Sequence, residues 1–404
     1  MVTDLRRIAI VGGSLAGLRA AEALRRRGYD GAITWIGAEA HLPYDRPPLS
    51  KQILAGTWDV SRIALRKTPP LDDLDAELHF GRRATSLDVH ARRVALDDGA
   101  TLPFDGLIIA TGARPRVLHS QQTLASVHTL RTVDDAVAIQ AALERSPRVV
   151  IVGAGFIGLE VAAVCRQRSL DVTVVDALST PLTRTLGEAA GKIVEAIHRD
   201  EGVRFIFDRS VREVCGTGSV ERVILSDGRE LAADLVVVGI GVVPETDWLA
   251  SSGLGIADGV VCDAYCATNL PNVVAAGDVA RWENPLFGAS MRVEHWTNAV
   301  EQATAAVDRL LEGAKHAKPF APAPYFWSDQ YNFKLQFVGH YSGTDTVHVL
   351  EDDRSARRIV LIYERDGRIT GALTGNRPAA LAKYRALVAG GAPIESALSQ
   401  APRH

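Results

Sequence analysis

Two stretches of this chain share one pattern of apolar and polar positions, and the remaining elements are arranged around them. In the stronger one, Val149–Val152 is an unbroken β-branched run, glycines follow at 153, 155 and 158, and Val172–Val175 is a second β-branched run closed by Asp176. Short continuous apolar runs bounded by glycine predict strands buried on both faces. Between them, Ile157, Val161 and Val164 recur at helical spacing, which predicts a helix with an apolar stripe. Residues 7–39 carry a looser copy: Arg7–Val11 as strand, Gly12, Ser14 and Gly17 at the turn, and Leu15, Leu18 and Leu24 on the helix face.

Elsewhere the period changes. Residues 76–110 alternate in short runs around Asp98-Gly99 and Asp105-Gly106, which predicts a β-meander. It ends on a buried strand, Leu107–Thr111, meeting Gly112. Residues 128–146 predict a linker and a helix, with Thr132 as N-cap. Residues 181–215 predict one more helix and strand, and a hairpin turn at 226–229 leads to a buried strand, Leu235–Gly239. Segments 76–112 and 203–241 therefore read as equivalent parts of two related nucleotide domains. A short strand, Val273–Ala276, precedes Gly277-Asp278, and a helix is expected over 296–313. From about Pro319 the chain becomes rich in proline and aromatic residues, with alternating strands through Ile369–Gly375 and a helix over 379–400, a third domain of α+β type.

The glycine spacing carries chemistry. In G-x-G-x-x-G the first glycine allows the tight turn, the second lets backbone approach a pyrophosphate, and the third allows helix and strand to pack closely. Free N–H groups and the positive end of the helix dipole face the phosphates. Gly153, Gly155 and Gly158 fill all three positions, and Asp176 suits a ribose 2′-hydroxyl. In the first copy Ser14 stands at the second position, small enough for close phosphate approach. Two dinucleotide folds in one chain imply electron transfer between two nucleotides. Asp278 is either a helix N-cap or a ligand of a polyol hydroxyl. Trp327 is either a core residue or the cap of an aromatic cofactor.

Composition narrows the class. At 404 residues there is room for two or three domains, and an apolar content of 47% is that of a globular protein. A net charge of −3 argues against a nucleic-acid or anionic-membrane binder. The first strand starts within a few residues of Met1, so no signal peptide is expected, and no apolar run is long enough for a transmembrane helix. Cys165, Cys215, Cys262 and Cys266 lack zinc or iron–sulfur spacing and read as reduced thiols in a cytoplasmic protein with no metal.

With these residues in hand, the chain resembles the FAD-dependent, NADH-utilising ferredoxin reductases that serve Rieske-type dioxygenases and bacterial haem monooxygenases, a putidaredoxin-reductase-like group. The resemblance spans nearly the whole chain and rests on YDRPPLSK (44–51), ATGARPR (110–116), LRT (130–132), VGAGFIGLE (152–160), VGIGVVPET (238–246), AAGD (275–278), VEHWTNAVEQ (293–302) and YFWSDQ (325–330) in that order. It implies an α/β fold, glutathione-reductase-like, with two Rossmann-like dinucleotide-binding domains plus a C-terminal α+β domain. Residues 1–117 and 242–319 would hold FAD, 118–241 NADH, and 320–404 would form an interface domain.

The resemblance also implies site residues. Gly12, Ser14, Ala16 and Gly17 would lie at the FAD pyrophosphate. Arg46 and Lys51 would lie along FAD, with Lys51 close to flavin N5 and paired with Glu160; these two are the catalytic candidates. Ala84 would meet the adenosine end and Arg131 would make a polar contact. Asp278 would bind the ribityl chain, and Trp296 the ring edge. Trp327 would lie near the isoalloxazine and the exit toward the ferredoxin, while Glu294 and Gly241 would face the nicotinamide. Thr111, Gly112 and Ile157 join the cofactor-binding set. The family's ribose-binding acid is replaced here by Ala38, and Glu39 is the adjacent substitute. Asp176 should favour NADH over a 2′-phosphorylated cofactor, with Arg184 opposing that preference. The expected partner is a [2Fe–2S] ferredoxin, with the protein a monomer or homodimer. The rivals are an NADH oxidase, a disulfide reductase, for which residues 41–54 lack the required cysteine, and a signalling flavoprotein resembling apoptosis-inducing factor.

Overall fold

The structure, a computed structural model, describes residues 5–66, 71–118 and 124–400. Its contacts divide the chain into two compact units. One comprises the chain up to Asp45, Ile63–Arg114 and Val243–Pro324; the other comprises Arg46–Arg62, Pro115–Val242 and the chain from Tyr325 onward.

The first unit is built on a five-stranded parallel sheet. Arg7–Val11 is central, flanked by Ala32–Gly37 and Gly106–Ile109, with Ala76–Phe80 and Val273–Ala275 at the edges. Ile8, Ala9 and Ile10 are fully buried, as an apolar run covered on both faces requires. The helices Leu15–Arg26 and Trp296–Glu312 pack together, and Arg27 forks onto Asp308 at 2.6 and 2.7 Å. Burying each Ile, Leu or Val contributes about 1.5–3 kcal/mol, against roughly 0–1 kcal/mol for an exposed ion pair, so apolar burial holds these helices.

The second unit repeats the plan. Its parallel sheet runs in the order Arg204–Ile206, Val172–Val175, Val149–Val152, Leu235–Val238, Val127–Thr129. A five-stranded antiparallel sheet, Tyr325–Gln330 through Arg368–Gly375, lies in the same unit with the helices Pro378–Ala389 and Ile394–Leu398. Each unit also carries a three-stranded antiparallel sheet, residues 84–103 in one and 211–232 in the other, as the duplicated pattern predicts.

Several elements differ from the expectation. The 76–110 stretch is not one meander: Ala76–Phe80 joins the parallel sheet, because a period of two does not tell a parallel neighbour from an antiparallel one. Residues 181–215 hold a helix and two strands, the second belonging to the antiparallel sheet. The 379–400 helix is two helices, broken where Gly390, Gly391 and Pro393 intervene. Ile157 does not sit on the buried helix face; it is 42% exposed, while Leu159, Val161 and Val164 turn inward.

Candidate functional site

In the first unit the glycine turn forms because side chains cannot fit there. Gly12 has φ +138°, and a Cβ on it would stand 2.0 Å from the Ala110 carbonyl oxygen. A Cβ on Gly17 would stand 1.9 Å from the Gly12 carbonyl, which also accepts the Trp35 indole N–H at 2.9 Å. Ser14 is the extended N-cap of the helix Leu15–Arg26, directing its first N–H groups out of the sheet's end. Ala16 is the second residue of that helix, and a Cβ on Gly277 would touch its methyl at 3.0 Å. The Gly277 N–H donates to the buried Gln302 Oε1 at 2.9 Å, which brings the AAGD loop against the same turn.

Asp278 follows that loop. No helix begins there; the next element is the strand Ala280–Asn284, which removes the N-cap alternative. Arg292 donates to the Asp278 carbonyl at 3.1 Å and pairs with Glu294 at 2.8 Å. Trp296 opens its helix with its indole N–H on Asp45 at 2.8 Å. Thr111 donates to the Glu245 carbonyl at 2.8 Å, and the Glu245 N–H returns to the Gly112 carbonyl at 3.0 Å. Glu39 is half-buried and accepts the Tyr44 hydroxyl, while Ala38 is exposed. Ala84 is buried at the start of its strand.

The second unit holds the other loop. Gly153 has φ +104°, with a would-be Cβ 2.2 Å from the Gly239 carbonyl, and a Cβ on Gly158 would stand 2.2 Å from the Gly153 carbonyl. Gly155 is the extended N-cap of the helix Phe156–Gln167. Asp176 accepts the Ala154 N–H at 2.6 Å and the Leu178 N–H at 2.8 Å, which ties the acid to the loop and leaves lone pairs for a further donor. Arg184 is exposed on the first turn of the helix Thr183–Asp200. Gly241, at φ +96°, accepts the Arg116 N–H at 2.9 Å.

The same unit brings the two catalytic candidates together. Lys51 sits in a short π-helix, Leu49–Ile53, after three prolines, and its ammonium meets the Glu160 carboxylate at 2.8 Å. Glu160 is only 3% exposed. It also accepts the hydroxyls of Ser50 and Ser328, the latter at 2.6 Å. A buried carboxylate needs such donors, and here it has three. Arg46 reaches the Arg131 carbonyl at 2.5 Å. Thr132 caps its helix in a full capping box with Asp135, which also accepts the Arg131 N–H at 2.9 Å. Trp327 is half-buried and stacks on Tyr325 at 6.1 Å between ring centres.

Ser50, Ser328, Gln330 and His198 around Glu160 are not foreseen from sequence; they are polar positions in otherwise apolar elements, which was the available signal. Asp45 beneath Trp296 is likewise unforeseen. Burial pushes the His198 imidazole down to about 4, against the opposing pull of the Gln330 hydrogen bond and Glu201. The unfolded chain, with an ordinary histidine near 6.5, then takes up this proton first as pH falls. The stabilisation is therefore complete above about 6.5 and lost as pH falls through about 4; roughly 2 kcal/mol is gone by pH 5. Buried His295, also near 4, acts in the same direction. Urea midpoints at pH 7 and pH 5 should fall less in His198→Gln than in wild type.

All four cysteines are free thiols. Burial pushes Cys165 and Cys262 up to about 12 and Cys266 higher, so none of these three is a ready thiolate. Among the described residues no helix is long and apolar enough to cross a membrane.

Two glycine loops on two parallel sheets, with a buried Lys–Glu pair beside one, define an oxidoreductase that works with two nucleotides. Comparison with known proteins agrees. Residues 6–303 match the pyridine nucleotide-disulphide oxidoreductase family, and residues 325–403 match the reductase C-terminal family. The ferredoxin–NAD(+) reductase component of the anthranilate 1,2-dioxygenase system of Burkholderia cepacia is 40% identical over 95% of this chain and 94% of its own. Rhodocoxin reductase of Rhodococcus erythropolis is 37% identical over 92% of this chain and 86% of its own. The solved putidaredoxin reductase, in covalent complex with putidaredoxin, superposes with a TM-score of 0.91 at 30% identity, covering 98% of this chain and 99% of that one. The chain belongs to the pyridine nucleotide-disulphide oxidoreductase family, among its ferredoxin reductases, with the flavin and pyridine nucleotide that this family implies.

Proposed function

We propose that this protein passes electrons from NADH through FAD to a [2Fe–2S] ferredoxin that feeds an oxygenase. The observation that carries the reading is the pair of glycine loops in one chain, each too tight for a Cβ and each following a strand of its own parallel sheet. The residues present fit both nucleotides: at Gly12 and Gly153 a Cβ would strike the carbonyl of the neighbouring strand end, so the tight turn that precedes each helix N-terminus needs glycine. In this reading 1–117 and 242–319 hold FAD, 118–241 holds NADH, and 320–404 faces the partner.

Flavin supplies the conversion of a two-electron donor into one-electron steps. The chain binds and orients. The N–H groups at Ser14, Ala16 and Gly17 receive one pyrophosphate, and those after Gly153 and Gly155 receive the other. Glu39, Arg46, Ala84, Thr111, Gly112, Arg131, Asp278, Trp296 and Trp327 are the residues that would line FAD. Lys51 presents a positive charge that stabilises negative charge on reduced flavin, and Glu160 balances it when the flavin is oxidised. Glu294 and Gly241 face the nicotinamide, and Ile157 lies on the exposed side of its helix, open to the nucleotide. The loop at 41–54 has no cysteine, which disfavours disulfide chemistry despite the family's name.

The purified protein should show a flavin spectrum and reduce a [2Fe–2S] ferredoxin rapidly with NADH, consuming little oxygen. Electrons reaching only oxygen or a dye, across several ferredoxins, would point to an oxidase. A long-lived charge-transfer band with slow turnover would point to a signalling flavoprotein.

Asp176 sets cofactor choice through a ribose hydroxyl and repulsion of a 2′-phosphate. Asp176→Asn keeps an acceptor for the Ala154 N–H and removes the charge. It should raise kcat/KM for NADPH relative to NADH by about tenfold or more, the scale of one like-charge contact. An unchanged ratio would show that Asp176 does not face the ribose.

A further inference from the structure

The Lys51–Glu160 pair stands at the end of a longer buried chain. The Tyr331 hydroxyl meets His198 Nδ1 at 3.0 Å, and His198 Nε2 meets the Gln330 Oε1 at 2.8 Å. Gln330 Nε2 then donates to Ser328 Oγ at 3.0 Å, and Ser328 donates to Glu160 Oε1 at 2.6 Å. Residues from three separate parts of the second unit meet here: the helix Thr183–Asp200, the strand Tyr325–Gln330 with Tyr331 just after it, and the helix Phe156–Gln167. His198, Gln330, Ser328 and Glu160 are all at most 3% exposed.

The direction of the chain follows from chemistry. A hydroxyl has one proton, so Ser328, donating to Glu160, must accept from Gln330. The amide nitrogen of Gln330 is thereby placed toward Ser328, and its oxygen toward His198. His198 therefore carries its proton on Nε2, and its bare Nδ1 accepts the Tyr331 hydroxyl. Every donor points toward Glu160, whose other oxygen accepts from Ser50 and Lys51. Glu160 is an acceptor only, the pattern of an ionised carboxylate, and it cannot rotate without breaking bonds on both oxygens.

We propose that Tyr331, His198, Gln330 and Ser328 form a one-way hydrogen-bond chain that locks the Glu160 carboxylate in place, so that Ser328 and His198 are positioning residues for Lys51 during flavin reduction. This rests on the reading that Lys51 serves the flavin. A locked carboxylate holds the ammonium at one point, where a free one would let it follow thermal motion of a four-carbon stem. The C-terminal segment thereby takes part in flavin chemistry through Ser328 and Gln330.

The test uses the purified flavoprotein. Ser328→Ala should slow flavin reduction at saturating NADH by about tenfold, the scale of one lost hydrogen bond to a charged group, while the NADH Kd moves less than about twofold. Ser328→Thr, which keeps the hydroxyl, should restore the rate. With ¹⁵N-histidine label, wild-type His198 should give the signals of a neutral ring protonated at Nε2 at pH 7, and Ser328→Ala should shift them. A wild-type rate in Ser328→Ala overturns the proposal, as does a ring protonated at Nδ1 or at both nitrogens. Should Ser328→Ala not fold, the wild-type imidazole signals alone decide. A wild-type rate in Lys51→Met sinks the parent reading as well; a slow Lys51→Met beside a wild-type Ser328→Ala sinks only the positioning chain.

Discussion

Lys51→Met should reduce its flavin about a hundredfold more slowly than wild type at saturating NADH, the scale of removing one preorganised charged donor from a reacting centre. Methionine keeps the stem's length and apolar packing, so the charge is what changes. The substitution also leaves Glu160 without its ion-pair partner at 2.8 Å, in a site only 3% open to solvent. Breaking a buried pair costs about 3–5 kcal/mol, reduced here because Ser50 and Ser328 still donate. The two effects separate in Lys51→Met with Glu160→Leu, which removes the stranded charge. That double variant should regain stability in urea and stay slow in stopped flow. A single variant reducing flavin at the wild-type rate would show that the Lys51 charge plays no part in it.

Gly153→Ala should weaken NADH binding by about a hundredfold or more while the flavin-to-protein absorbance ratio stays that of wild type. The new Cβ would need φ near +104°, which costs an L-residue about 1–3 kcal/mol, and would meet the Gly239 carbonyl at 2.2 Å. That atom is backbone at the end of a central strand, so it cannot swing aside. The loop must shift, and its N–H groups leave the positions that receive a pyrophosphate; about 3 kcal/mol is a hundredfold in Kd. The glycine loop at Gly12 lies in the other unit with its own sheet. Titration of the charge-transfer band with NAD would read the loss. Equal affinity in the variant would show that this loop does not bind the cofactor.

Sequence by itself determined the local elements. Val149–Val152, Arg7–Val11 and Leu235–Val238 are short, mostly apolar runs that each end at a glycine, and a run buried on both faces needs no partner to be recognised. The N-cap at Thr132 and the turns at 98–99 and 226–229 were legible for the same reason, since their chemistry lies within a few neighbouring residues. The glycine spacings announced two nucleotides because each position answers a steric demand within its own loop. Tertiary structure decided what depends on distant residues. Whether Ala76–Phe80 pairs parallel or antiparallel depends on a neighbour some forty residues away, and Asp278 precedes a strand where its own neighbours favoured a helix cap. Ile157 kept helical spacing yet faces outward, since spacing sets a stripe's members and packing chooses which side of it is covered. The surroundings of Glu160 were the least legible of all: Ser50, Ser328 and His198 come from three remote segments, and only the closed fold brings both hydroxyls onto Glu160 and His198 onto Gln330.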